Sequence, residues 1–97
     1  MSVSRHVMFR GRVQGVGFRA FVEQAASDAS VGGWARNRRA GMVEAVFVGE
    51  AAAVDAVIEA CRKGPRLSHV ESVDQREATA DELELPGGEP FAILPTV

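Results

Sequence analysis

Apolar and polar residues alternate with a period of two from Arg5 to Val13. Val7, Phe9 and Val13 are set against His6, Arg10 and Arg12, the pattern of a half-buried strand. From Phe18 the period lengthens: Phe18, Phe21, Val22, Ala25, Ala26 and Ala29 form one apolar stripe at helical spacing. Gly32 and Gly33 are expected to end that helix. Trp34–Arg38 and Met42–Val48 read as short strands. The link Arg38-Arg39-Ala40-Gly41 fits a tight hairpin whose glycine takes a positive φ. A second helix over Glu50–Lys63 puts Val54, Val57, Ile58 and Cys61 on one face, and Gly64-Pro65 stops it. Val70–Glu77 is a fourth strand, Thr79–Pro90 an acidic loop, and Phe91–Leu94 a possible fifth, edge strand before Pro95.

The order βαββαβ predicts an α+β fold of the ferredoxin-like kind, with two helices on one face of an antiparallel sheet. Right-handed crossovers put the first and third strands side by side in the middle. The second strand then runs parallel to the first, one position beyond the third. Asn37, at the end of the second strand, is therefore expected at the same end of the sheet as the loop that follows the first strand.

That loop, Gln14-Gly15-Val16-Gly17-Phe18, leads from a strand into a helix N-terminus. Unpaired amides and the helix dipole favour negative charge there, and glycines let successive amides turn inward as an anion-binding nest. Arg19 in the first helical turn offers a planar fork matched to phosphate oxygens. A plain glycine turn with its arginines in water is the competing reading. Gly15 to Ala20 also matches the dinucleotide pattern G-x-G-x-x-G/A. However, the neighbourhood where that pattern wants a ribose-binding acid holds Arg36, Asn37, Arg38 and Arg39, and the chain is too short for a doubly wound sheet. The G-K-[ST] of a P-loop is absent.

With 97 residues, the chain is read as one domain, 1–97. A hydrophobic share of 46% and a charged share of 25% fit a soluble globular protein. A lone cysteine, Cys61, excludes an internal disulfide and fits a reducing cytoplasm. Neither a signal peptide nor a membrane span is evident, so no membrane partner is expected. The net charge of −2 is unevenly spread: seven arginines face three acids up to Val48, and four basic residues face ten acids after it. An acidic whole argues against a nucleic-acid partner, as do sheet strands without an aromatic-rich signature. Arg10, Arg12, Arg36, Arg38 and Arg39 read as solvated surface, Trp34 and Cys61 as core, and His6 and His69 as lacking any partner pattern.

The stretches "GRVQGVGFRAFV" (Gly11 to Val22), "GGWARNRRAGMVEAVFVGE" (Gly32 to Glu50) and "KGPRLSHVESV" (Lys63 to Val73) resemble the acylphosphatases in order and spacing. The resemblance implies a ferredoxin-like sandwich. It also implies hydrolysis of the carboxyl–phosphate bond of an acyl phosphate to a carboxylate and inorganic phosphate, without metal or cofactor. It puts the catalytic arginine on Arg19, the catalytic asparagine on Asn37, and the phosphate-binding loop on Gln14, Gly15, Val16, Gly17, Phe18 and Arg19. A small acyl phosphate and inorganic phosphate are then the partners of a monomer. Ala20 stands where the family often has an aromatic residue, and Ala35 where valine is common. The rival is a non-catalytic or carbamoyl-phosphate-handling module of the same fold.

Overall fold

A computed structural model describes Met1–Val97. The first strand, β1, spans Ser2–Arg12, and the first helix, α1, spans Phe18–Asp28. β2 (Gly32–Asn37) and β3 (Val43–Glu50) follow, then α2 (Ala51–Lys63) and β4 (His69–Glu77). A short helix, α3 (Ala80–Glu84), and a two-residue strand, β5 (Ala92–Ile93), complete the order. The sheet runs β4-β1-β3-β2-β5. β3 is antiparallel to both β1 and β2, β4 is antiparallel to β1, and β5 is parallel to β2.

The period-two pattern of β1 sorts its side chains by face. Val7 and Phe9 point to the side covered by α1 and α2, where they join Val22, Ala26, Phe47, Val54, Ile58 and Cys61 in a core of 16 buried residues. His6 and Met8 point to the other side. The amphipathic stripes of the two helices cover the first face, as their spacing predicts, with Phe18, Val22 and Ala26 buried on α1 and Val54, Val57, Ile58 and Cys61 on α2. Phe9 and Phe18 meet edge to face, ring centroids 5.1 Å apart, and so anchor the start of α1 to the middle of β1.

Two expectations are corrected. Gly32 and Gly33 do not end α1. Ser30 takes the left-handed conformation (φ 56), and the amides of Ser30 and Val31 bond back to the carbonyls of Ser27 and Ala26, the Schellman pattern. Gly32 and Gly33 are buried in β2, where they permit a close crossing. The Gly33 amide donates to the Gly88 carbonyl at 3.0 Å, and a Cβ on Gly33 would stand 1.8 Å from the Val46 carbonyl oxygen. The acidic segment Thr79–Pro90 is also not all loop. Thr79 caps α3 in a capping box with Glu82, each accepting from the other's backbone amide. The segment then crosses the sheet face that α1 and α2 leave free.

The hairpin glycine behaves as expected, with Gly41 at φ 98. Gly33, at φ 126 and in van der Waals conflict with any side chain, is the more demanding position. Gly33→Ala is expected to cost about 2–4 kcal/mol from left-handed strain and overpacking together, read from urea unfolding. Gly41→Ala, with nothing within 4 Å of the new methyl group, should cost about 1–2 kcal/mol.

Candidate active site

The loop after β1 is built by two left-handed glycines. Gly15 has φ 73, and Gly17, the N-cap of α1, has φ 78 and ψ 20. A Cβ at either would meet nothing within 4 Å, so backbone conformation rather than crowding requires glycine there. No side chain caps α1, and its first turn holds no acid. The free amides and the positive end of the dipole are therefore open to an outside anion.

Gln14, Gly15, Gly17, Phe18, Arg19 and Asn37 all line one cleft of about 290 Å³. The strand order accounts for the meeting. β1 and β2 each pair antiparallel with β3, so they run the same way and their ends emerge together. The Phe18 ring is buried in the core, which leaves its backbone to the cleft. Val16 does not line the cleft; its side chain packs against the core beside it. Arg19 is half-buried and takes part in no ion pair within 4.0 Å, so its guanidinium is unpaired. Asn37 Oδ1 is buried and has no hydrogen-bond partner within the protein. A buried acceptor left unpaired costs about 1–3 kcal/mol.

The Gln14 side-chain amide is spent within the protein. Its Nε2 donates to the carbonyls of Arg38 at 2.7 Å and Met42 at 2.9 Å, the two residues that close the β2–β3 hairpin. Both amide hydrogens are spent, so Gln14 has only its backbone N–H for an anion. What the side chain does is tie the glycine loop to the hairpin that ends in Asn37.

The opposite face of the sheet holds a charge network that the expectations for His6, Arg36 and Arg38 missed. His6 lies 2.6 Å from Glu44, and Glu44 also accepts from Arg36 at 2.8 Å and Arg38 at 3.0 Å. Burial alone raises the Glu44 carboxyl, but hydrogen bonds from His6, Arg36 and Arg38 override it and hold the group below its ordinary value. Arg36 also lies over the Trp34 ring at 4.8 Å, and the Trp34 indole donates to the Glu82 carbonyl at 2.9 Å. Arg76 grips Glu82 with both guanidinium ends at 2.8 and 2.7 Å, which with burial opposing and the Thr79 amide helping holds that carboxyl down at about 2. Arg39 is exposed, as expected, and Arg10 is an exposed partner of Asp74.

His6, Glu44 and Glu82 bring three potential ligand atoms within 4.8 Å of one another. Arg36, Arg38 and Arg76 already hold those carboxylates, and their charges oppose a cation. A larger groove of about 730 Å³ between Ser2–Arg5 and Gln75–Ala78 lies at the far end of β1, and its Arg5 is engaged by Asp55 and Gln75. The 290 Å³ cleft is therefore the place where free amides, an unpaired guanidinium and an unpaired buried acceptor converge.

A profile of the acylphosphatase family matches residues 5–93. The chain belongs to the acylphosphatase family. An acylphosphatase of Bradyrhizobium diazoefficiens is 53% identical over 92 residues, covering 94% of this chain and 93% of that protein. One from Rhodopseudomonas palustris is 47% identical over 97 residues, covering 99% and 98%. Among solved structures, the acylphosphatase from Bacillus subtilis superimposes with a TM-score of 0.84 at 34% identity, covering 97% of this chain and 99% of that one. HypF, in its phosphate- and nucleotide-bound form, matches with a TM-score of 0.83 at 28% identity, over 99% of this chain but 12% of its own. These likenesses bear out the ferredoxin-like fold and the acylphosphatase resemblance.

Glu82 yields a pH prediction for this family member. Its carboxyl sits at about 2 in the folded protein against an unfolded value near 4.5. The folded state thus binds that proton more weakly. The contribution to stability is complete above pH 4.5 and lost as pH falls toward 2. Glu82→Gln is expected to lower the urea midpoint at pH 7 and to flatten its fall between pH 4.5 and 2. A fall as steep as that of the unmodified protein would place the acid sensitivity elsewhere.

Proposed function

We propose that the chain hydrolyses the carboxyl–phosphate bond of acyl phosphates, giving a carboxylate and inorganic phosphate. The observation that carries this reading is the pairing, across one small cleft, of an Arg19 without an ion-pair partner beside open loop amides with the unpaired buried Oδ1 of Asn37. The amides of the Gly15–Arg19 loop and the Arg19 guanidinium would hold the phosphoryl oxygens as their charge redistributes. Asn37 would accept a hydrogen bond from a water molecule and aim its oxygen at phosphorus. The P–O bond to the acyl group breaks as the new P–O bond forms. The electron pair leaves with the carboxylate, and the water's proton ends on the phosphate or in solvent.

The carboxylate is a stable leaving group, so the reaction needs no strong base, and an asparagine suffices where it positions rather than deprotonates. Phosphoryl charge is met by amides and a guanidinium, so we read the reaction as metal- and cofactor-independent. Relatives named acylphosphatase that match over nearly their whole length favour this over a non-catalytic or carbamoyl-phosphate-handling module. We also read the protein as a cytoplasmic monomer acting on a small molecule, with no nucleic acid. Burial pushes the single thiol, Cys61, up to about 12, far from reactive. No helix is long and apolar enough to cross a membrane.

Benzoyl phosphate hydrolysis in EDTA tests the reading. Unmodified protein should turn over rapidly, and folded Arg19→Ala and Asn37→Ala should each lose about 10²–10³ in kcat. Arg19→Ala should also weaken inhibition by inorganic phosphate, whereas Asn37→Ala should not. Wild-type turnover by folded Asn37→Ala would contradict the water-positioning role. Gln14→Leu separates tether from ligand: kcat should fall about 10-fold with phosphate inhibition changed less than about 2-fold. Equal losses in both would put the Gln14 amide on the phosphate.

A further inference from the structure

We infer that Glu23 makes the cleft select against acyl groups that carry a second negative charge, favouring small uncharged or cationic ones. The inference rests on the acyl-phosphate reading above. Loop amides and Arg19 account for the phosphoryl group, and Asn37 for the water. The walls then left for the acyl group include Ala20, Glu23 and Ile93. Ala20 is small and exposed, and Ile93, 38% exposed on β5, offers an apolar surface. At about 290 Å³, the cleft suits a short acyl chain.

Glu23 is the single acid on these walls. It lies one helical turn after Arg19, on the same side of α1, and is half-buried. It nevertheless makes no ion pair within 4.0 Å, with Arg19 or with any other cation. A carboxylate on the wall of an anion site weakens binding of any anion, most for charge placed nearest to it. An uncharged acyl group feels no Coulomb penalty of its own. An acyl group ending in a carboxylate does, by roughly 3- to 10-fold at separations of about 6–8 Å across a water-filled cleft with an effective dielectric constant of about 40–80. Salt should shrink the difference.

Butyryl phosphate and succinyl phosphate test this, since the second replaces a terminal methyl group with a carboxylate at the same chain length. The readout is the ratio of kcat/KM for succinyl over butyryl phosphate, measured by phosphate release at low salt and at 0.5 M potassium chloride (about a 4 Å screening length). Glu23→Gln should raise that ratio roughly 3- to 10-fold at low salt, Glu23→Lys should raise it further, and both gains should diminish at high salt. A ratio unchanged within about 2-fold in both folded variants overturns the inference. A parallel rise for both substrates also overturns it, because Glu23 would then act on the phosphoryl group alone. Hydrolysis of benzoyl phosphate but of neither compound also overturns the inference, because a small uncharged acyl group is then not favoured; hydrolysis of none of the three fails the acyl-phosphate reading itself. Turnover with an unmoved ratio removes only the role of Glu23.

Discussion

Because β3 forms antiparallel ladders with β1 on one side and β2 on the other, those two strands must run in the same direction. Their C-terminal ends, Arg12 and Asn37, then emerge at one end of the sheet although they stand 25 positions apart in the chain. The core enforces the same arrangement. Slipping β3 by one residue would turn Val43, Ala45 and Phe47 away from the helices and bring Glu44 into the apolar face. The glycine loop and Asn37 are separate local features, and the register of β3 is what makes them one cleft.

The two faces of the sheet divide the labour. The helix side is apolar and fixes the loop through Phe9, Phe18 and Val13, all buried. The other side carries the His6, Glu44, Arg36 and Arg38 cluster, bolted to α3 through Trp34, Glu82 and Arg76. Arg36 and Arg38 flank Asn37 and converge on one carboxylate, so this network steadies the strand end that carries it. Gln14 joins that strand end to the loop. The charge asymmetry visible along the chain thus resolves into two arrangements. Most of the acidic excess lies in the second half, where Glu82 is spent in holding the segment to the sheet. Arg19, in the basic first half, remains without an ion-pair partner.

The fold was legible because its signals are local and agree with each other. The period-two run ending at Val13, the stripe from Phe18 to Ala29 and the face from Val54 to Cys61 all survive in the structure. So does the meeting of Asn37 with the loop, which needs only element order and handedness. What escaped needs register or three-dimensional proximity. Glu44 lies opposite Met8 and diagonal to His6, a relation undefined until the strands are paired. The end of α1 was misplaced because the left-handed position is filled by a serine, while the glycines nearby serve a backbone crossing. The α3 cap was readable, since Thr79-Ala-Asp-Glu82 is a capping-box sequence, but acidic composition masked it. The Gln14 tether had no local signal, because its acceptors are carbonyls of a hairpin 24 and 28 residues away.

The loop, Arg19 and Asn37 fit together only if water reaches phosphorus rather than the acyl carbon. Hydrolysis of benzoyl phosphate in ¹⁸O-labelled water, with EDTA present, tests it most directly. The label is expected in inorganic phosphate and not in benzoate. Label in benzoate would mean attack at the carbonyl carbon, and it would contradict the roles given to the loop, to Arg19 and to Asn37 together.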